Sequence, residues 1–220
     1  MIAFATAIAS EERYRRWALP GIRRAAEPDS LVVERREAAT LQENYNAILD
    51  ELAGREDLEA LVLLHEDTEI ADDAFAAGVR GALADPEVAV VGVVGANEVD
   101  SLAWWEGAVE GRVRVPLLEP GGLFIDESRG RHEVEALDGL LLVLSPWAVR
   151  ELRFDESFGS SMDGYDVDLC FQARAAGRRV LVEDLDVIHQ TTGGFGDRQE
   201  WIRADVAFRR KWRAILAAST

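Results

Sequence analysis

The 220-residue chain reads as an α/β domain, a central sheet flanked by helices, and three observations predict it. Apolar runs of strand length alternate with amphipathic stretches of helix length along the whole chain. Acidic and histidine-bearing turns fall directly behind several of the apolar runs. Finally, 48% of the residues are apolar and the mean hydropathy is −0.07, enough to build one sizeable core at this length. No repeat or low-complexity linker divides the sequence, so residues 1–220 are taken as one domain.

Ile2–Ile8 is the first strand, and a polar, arginine-rich helix follows over Glu11–Ala26, closed by Pro28-Asp29. Leu31–Val33 is a short second strand. Leu41, Tyr45, Ile48, Leu49 and Leu52 recur at helical spacing behind Thr40, an N-cap residue type, with Gly54 as the stop. Ala60–Leu64 is a buried strand that ends in His65-Glu66-Asp67. Ala74 to Leu83 repeats the helical pattern until Asp85-Pro86, and Val88–Val94 is the next strand. From Gly95 to Gly130 glycines and turn residues interrupt the pattern, which predicts a loop-rich insertion with a short hairpin. Val134–Ser145 is strand-like, Pro146–Leu152 a short helix, Asp166–Ala176 a helix, and Arg179–Ile188 a strand. The last helix, Trp201–Leu216, carries Trp201, Phe208, Trp212 and Ile215 on one face.

Charge narrows the function classes. The 24 Lys and Arg against 41 Asp and Glu leave a net charge of −17, which repels nucleic acid and anionic lipid. No apolar stretch approaches the roughly 18 residues that span a bilayer. The opening MIAFATAIASEERYRRW has no basic leader before its apolar run, so a cytoplasmic protein is expected. The single cysteine, Cys170, excludes an internal disulfide and reads as a small core residue among apolar helix positions.

Ligands of open α/β sheets bind beyond the carboxyl ends of the strands, and the segment LVLLHEDTEI delivers a histidine and two acids there. The same acids would also suit the approach to the helix near Asp72. A second cluster, MDGYDVDLCFQARAAG, opens a helix with Asp166 and Asp168, where the helix dipole also favours carboxylates. The segment DVIHQTTGGF ends a further strand in His189 before Gly193-Gly194. Asp and His at three such ends fit an oxygen and nitrogen site for Mg²⁺ or Mn²⁺.

In their order, these blocks resemble glycosyltransferase family 2 and its GT-A fold, a mixed, mostly parallel sheet. Within it they are most similar to the glycosyltransferase-like group named for a streptomycin-biosynthesis protein. The resemblance is carried by Arg36-Glu37-Ala38 with Tyr45-Asn46, the turn His65–Asp67, and VVGVVGA at Val90–Ala96 with Trp104-Trp105 behind it. ALDGLLL at Ala136–Leu142, FDESF, GYDVDLCFQARAAG and VIH complete it, over about residues 2 to 192.

The resemblance implies an inverting transfer of a sugar from a nucleotide-diphosphate donor to a saccharide or other hydroxyl acceptor, assisted by Mn²⁺ or Mg²⁺. The family's Asp-x-Asp motif matches His65-Glu66-Asp67, so that His65 stands for the first acid, Glu66 is the middle residue and Asp67 keeps the metal position. Its Glu-Asp-x-Asp motif matches Tyr165-Asp166-Val167-Asp168, with tyrosine for glutamate. Asp166 falls at the position of the general base, Asp168 beside it toward the acceptor, and His189 at the histidine that completes the metal site.

Leaving-group charge on an acidic protein calls for a cation, and Arg36 is the nearest basic candidate, unless it is a solvated surface arginine. Glu34 is placed to accept a hydrogen bond from the nucleobase, Asn46 lies beside the donor cleft with Tyr45 in the core, and Asp138 lies near the donor sugar or the acceptor. Trp104 and Trp105 offer faces for stacking on the acceptor's sugar ring, although one of them suffices to pack the insertion. Two rivals keep the same residues: a nucleotide-sugar binder without turnover, and a divalent-metal hydrolase on Asp67, Asp166 and His189. A nicotinamide-dependent oxidoreductase is disfavoured, because Ala7–Glu12 contains no glycine and Gly92 and Gly95 come late.

Overall fold

Ala60–Leu64, Val88–Gly92 and Leu141–Leu144 contain little but aliphatic side chains and are buried on both faces, as strands covered by helices on either side must be. They form the middle of the sheet that organises the molecule. The computed structural model describes residues 1–36, 40–118, 122–158, 164–193 and 197–218. Glu37, Ala38, Met162, Asp163, Gly194 and Phe195, from the motifs above, lie outside the described residues.

In chain order the first half runs β1 (Ile2–Ala7), α1 (Glu11–Arg13), a π-helical turn over Tyr14–Ala18, α2 (Leu19–Ala25), β2 (Leu31–Arg35), α3 (Leu41–Leu52), β3 (Ala60–Leu64), β4 (Thr68–Ile70) and α4 (Phe75–Ala82). Then come β5 (Val88–Gly92), β6 (Val94–Asn97), a 3₁₀ turn at Trp104–Glu106, β7 (Ala108–Val115), β8 (Leu123–Asp126), β9 (His132–Glu133), β10 (Ala136–Leu137) and β11 (Leu141–Leu144). The last third holds α5 (Pro146–Glu151), a 3₁₀ turn at Glu156–Phe158, α6 (Tyr165–Ala175), β12 (Arg179–Val182), β13 (Val187–His189) and α7 (Arg198–Ala218). Local chemistry accounts for the best-defined of these. Thr40 and Glu43 close a reciprocal capping box at the start of α3, which buries Tyr45, Ile48, Leu49 and Leu52.

The main sheet has the strand order β2-β1-β3-β11-β5-β12-β9. β1 pairs in parallel with β2 and β3, and β12 with β5, whereas β11 runs antiparallel between β3 and β5. This direction matters for function. β11 begins where β3 ends, with Leu141 opposite Leu64, so the Asp138-Gly139 turn enters beside His65. The His65 N–H donates to the Leu140 carbonyl at 3.0 Å.

Three apolar runs that read as single strands are broken in space. Val88–Val94 divides at Val93, where the chain leaves the main sheet for a second one, ordered β10-β6-β7-β13-β4 with β8 on β7. Val134–Ser145 divides around Asp138–Leu140, and Arg179–Ile188 divides between β12 and β13. At Val93 both halves are buried and apolar periodicity carries no trace of the bend, while Asp138-Gly139 and Glu183-Asp184 with Asp186 fall in the other two breaks. Gly111, at φ +94°, sits opposite Val94, and a Cβ there would meet the Val93 carbonyl.

The stretch Gly95–Gly130 is more regular than its composition predicts, since it supplies β6, β7 and β8. Its signal was a two-residue alternation: Val113 and Val115 are buried while Arg114 between them is exposed. No helix among the described residues is long and apolar enough to cross a membrane.

Candidate active site

The turn after β3 and the strand β13 create the first half of the site. β4 continues past the turn and pairs antiparallel with β13, so that Thr68 faces His189. The Gln190 N–H also donates to the Asp67 carbonyl at 2.8 Å. These backbone bonds bring His189 Nε2 to 3.4 Å from Asp67 Oδ1. The His65 ring centroid lies 5.8 Å from that of His189. One potential ligand atom from each of His65, Asp67 and His189 lies within 4.8 Å of the others. One carboxylate and two imidazoles at that spacing fit a divalent cation.

Electrostatics prepares the same residues. Burial works against an ionised Asp67, but the hydrogen bond from His189 and the charges of His189, His65 and Arg13 outweigh it and hold the carboxyl below its usual range. His65 is pushed down to about 4, first by burial and then by the charge of His189, so its imidazole is neutral at physiological pH. Glu66 turns away from the cluster. Its Oε2 accepts from the N–H groups of Ala9 and Ser10, both at 2.6 Å, and its Oε1 pairs with Arg13 at 2.7 Å. Glu66 thereby ties the turn after β1 to the turn after β3.

Arg13, which also reaches Asp67 Oδ2 at 3.4 Å, is a site residue that sequence reasoning missed. Its only signal was its place one turn into the helix that follows β1.

The second half is the start of α6. Tyr165 and Asp166 grip one residue, Gly139, from the Asp138-Gly139 turn. The Tyr165 hydroxyl donates to the Gly139 carbonyl at 2.9 Å, and the Gly139 N–H donates to Asp166 Oδ2 at 2.8 Å. A Cβ at Gly139 would collide with the Tyr165 phenol and press on Asp166, so only glycine admits this approach. The other face of the Tyr165 hydroxyl meets His65 Nε2 at 2.6 Å, which joins the two halves. Asp166 is pushed up to about 7, first by burial and second by the nearby charge of Asp138, against the bonds it accepts from Val167 and Gly139. A carboxylate with that affinity can hold or release a proton near neutrality. Asp138 itself accepts from the Leu140 N–H at 2.9 Å.

The remaining predicted residues divide. Glu34 and Arg36 lie at the same sheet edge, where Tyr14 donates to Glu34 at 2.5 Å and Arg36 pairs with Glu34 at 2.9 Å and Glu11 at 3.1 Å. Asn46 is held by packing: its Nδ2 donates to the Phe154 carbonyl at 2.9 Å and its Oδ1 accepts from the Phe154 N–H at 2.8 Å. Asp168 lies on the far side of α6 from Asp166's partners. It is wholly buried, with Lys211, Trp212 and Gln172 around both oxygens. Of the tryptophan pair, Trp104 is buried and Trp105 is 42% exposed, set edge to face with centroids 6.0 Å apart. Trp201 of α7 lies 6.5 Å beyond Trp105 and extends that aromatic surface.

Comparison with known proteins accords with this arrangement. A family model described as "Glycosyltransferase like family" matches residues 3–206. The chain is 33% identical over 214 residues to the streptomycin biosynthesis protein StrF of Streptomyces griseus, across 96% of this chain and 75% of that protein. Among solved structures, the mannosyltransferase PcManGT of Pyrobaculum calidifontis, in complex with GDP-Man and Mn²⁺, superposes with a TM-score of 0.57 at 14% identity. That match covers 97% of this chain and 64% of the mannosyltransferase. GalNAc-T7, solved with UDP, GalNAc and Mn²⁺, superposes with a TM-score of 0.58 at 9% identity, over 88% of this chain and 43% of that one. The two structural likenesses establish the GT-A fold, and the family match with the StrF relationship goes further: the chain belongs to the glycosyltransferase-like family.

Proposed function

We propose that this glycosyltransferase moves a sugar from a nucleoside-diphosphate donor to a hydroxyl acceptor with inversion at the anomeric carbon, and that Asp166 takes the acceptor's proton. The observation that carries this reading is the shared grip on Gly139. It sets a carboxylate whose pKa is about 7 beside a His-Asp-His cluster, the pair of functions that direct sugar transfer needs.

A divalent cation held by Asp67, His189 and His65 would supply charge stabilisation to the departing diphosphate. The chain's own residues do the rest. The ionised Asp67 and neutral His65 present lone pairs on one side of the pocket, and Arg13 adds positive charge beside them. Glu34 and Arg36, at the end of β2, and Asp138, just before β11, are the residues we assign to the donor. Asp166, poised to ionise near neutrality, accepts the hydroxyl proton as the oxygen attacks from the face opposite the leaving group. The proton then resides on Asp166 Oδ1 or Oδ2 until solvent removes it. The exposed indole of Trp105 suits the apolar face of a saccharide acceptor.

The test is a panel of uridine, guanosine and thymidine diphosphate sugars with simple glycoside acceptors and Mn²⁺, read by product mass and anomeric configuration. One donor should give an inverted glycoside, and Asp166→Asn should abolish transfer while calorimetry still registers nucleotide binding. Retained transfer in Asp166→Asn, or turnover of simple phosphate esters with water alone, overturns the reading.

A further inference from the structure

His65 and Tyr165 are 100 residues apart, and each is the position at which its motif departs from the resemblance described above. In the structure they touch: His65 Nε2 and the Tyr165 hydroxyl are 2.6 Å apart. The phenol has a single proton, and the buried Gly139 carbonyl 2.9 Å away is its acceptor. Diverting that proton to His65 would strand a buried carbonyl, which is costly. With the phenol proton assigned to the Gly139 carbonyl, the 2.6 Å contact calls for an Nε2–H on His65. That tautomer leaves the lone pair on Nδ1.

We propose that Tyr165 is a positioning residue that fixes His65 as the Nε2–H imidazole, so that Nδ1 joins Asp67 and His189 in a cation site of two nitrogens and one carboxylate. The inference rests on the cation reading of this cluster given above and deepens it. The donor set decides the kind of ion. Mg²⁺ strongly prefers oxygen ligands and retains its waters, whereas Mn²⁺ and its later neighbours accept imidazole readily. Replacement of an oxygen ligand by His65 thus selects a first-row transition ion over Mg²⁺. Tyr165 makes that ligand usable, because a ring free to rotate or to take the other tautomer would present N–H to the cation. The backbone bond from His65 N–H to the Leu140 carbonyl fixes the rest of the residue, so the hydroxyl contact sets what is left, the ring.

The experiment measures Mn²⁺ binding to the intact protein by loss of the free-ion electron paramagnetic resonance signal, with Mg²⁺ as competitor, and counts histidine nitrogens by electron spin-echo modulation. The native protein should bind Mn²⁺ about tenfold or more tighter than Mg²⁺ and show two nitrogen couplings. Tyr165→Phe keeps the ring that packs 5.8 Å from Tyr45 and 5.9 Å from Phe154, and should lose about 10–100-fold in Mn²⁺ affinity. His65→Gln should show one nitrogen coupling, and this variant with the native spectrum decides the matter if Tyr165→Phe does not fold. A native spectrum with a single coupling overturns the proposal, as does Mn²⁺ affinity in folded Tyr165→Phe within about threefold of native, well short of the expected loss. Either result leaves sugar transfer and the Asp166 test standing. Two couplings in a protein that transfers no sugar would instead sink the transferase reading and leave the site intact.

Discussion

Asp166 and Asp168 stand two residues apart on the first turn of α6, share its helix dipole, and meet opposite surroundings. Asp168 points back toward α7, where Lys211 lies 2.8 and 2.9 Å from its two oxygens and Trp212 and Gln172 each donate at 2.8 Å. Asp166 points toward the strand ends, accepts two backbone N–H bonds, and faces the negative charge of Asp138, with no cation against it among the described residues. The comparison separates anchoring from chemistry. A buried carboxylate matched by a half-buried cation holds two helices together, and one that is buried beside another carboxylate keeps its proton to near neutrality.

The largest effect should come from the chemical side. Asp166→Asn should cut kcat by about 10²–10⁴-fold while leaving nucleotide affinity in place, as measured by single-turnover transfer and calorimetry. Its neighbour should behave in the opposite way. Asp168→Asn leaves Lys211 with Asp155 at 2.8 Å but breaks a buried pair, so stability should fall by about 3 kcal/mol, with kcat/KM of the folded fraction nearly unchanged. Denaturant melts beside activity assays would check both halves of that statement; a large loss of kcat with an unchanged melt would break the comparison.

The pH profile sharpens it further. A base must be ionised to work, so kcat/KM should fall as pH drops through about 7, where Asp166 takes up its proton. Removal of the Asp138 charge favours the ionised form of Asp166. Asp138→Asn should therefore carry the acidic limb to lower pH, and an unmoved limb would show that another group titrates there. The smallest effect is expected at Asn46. Asn46→Ala should cost about 1–3 kcal/mol through the unpaired Phe154 backbone and leave the donor KM unchanged, which a substrate titration and a thermal melt together would show.

Much of the framework was legible because it rests on local chemistry. The cap at Thr40, the apolar strand Ala60–Leu64 and the helix at Tyr165 follow from residue types a few positions apart. Asp67, His65 and His189 could be singled out because polar groups behind buried strands need a reason to be there, and Asp166 through its place in the helix-opening motif that carries the resemblance. What separates Asp166 from Asp168, or Asn46 from a ligand-binding amide, is a partner 40 to 110 residues away, and no spacing rule reaches that far. Arg13 was opaque for the same cause: an arginine in an arginine-rich helix acquires meaning only from what lies against it. The break at Val93 stayed hidden because a bend between two buried sheets changes no hydrophobic pattern, whereas those at 138–140 and between β12 and β13 are marked by Asp138-Gly139 and by Glu183-Asp184 with Asp186, which apolar periodicity alone passes over.

Gly139 has a consequence for how the pocket can move. Its carbonyl is held by one residue and its amide by the next, both on the same helical turn, so the proton acceptor and the anchor of His65 ride on a single peptide segment. A shift of α6 along its axis would carry both together and preserve their separation. Because His65 and Gly139 stay with the strands, such a shift breaks the Tyr165–His65 contact and both Gly139 bonds at once, so Asp166 and the anchor of His65 leave their places together or not at all.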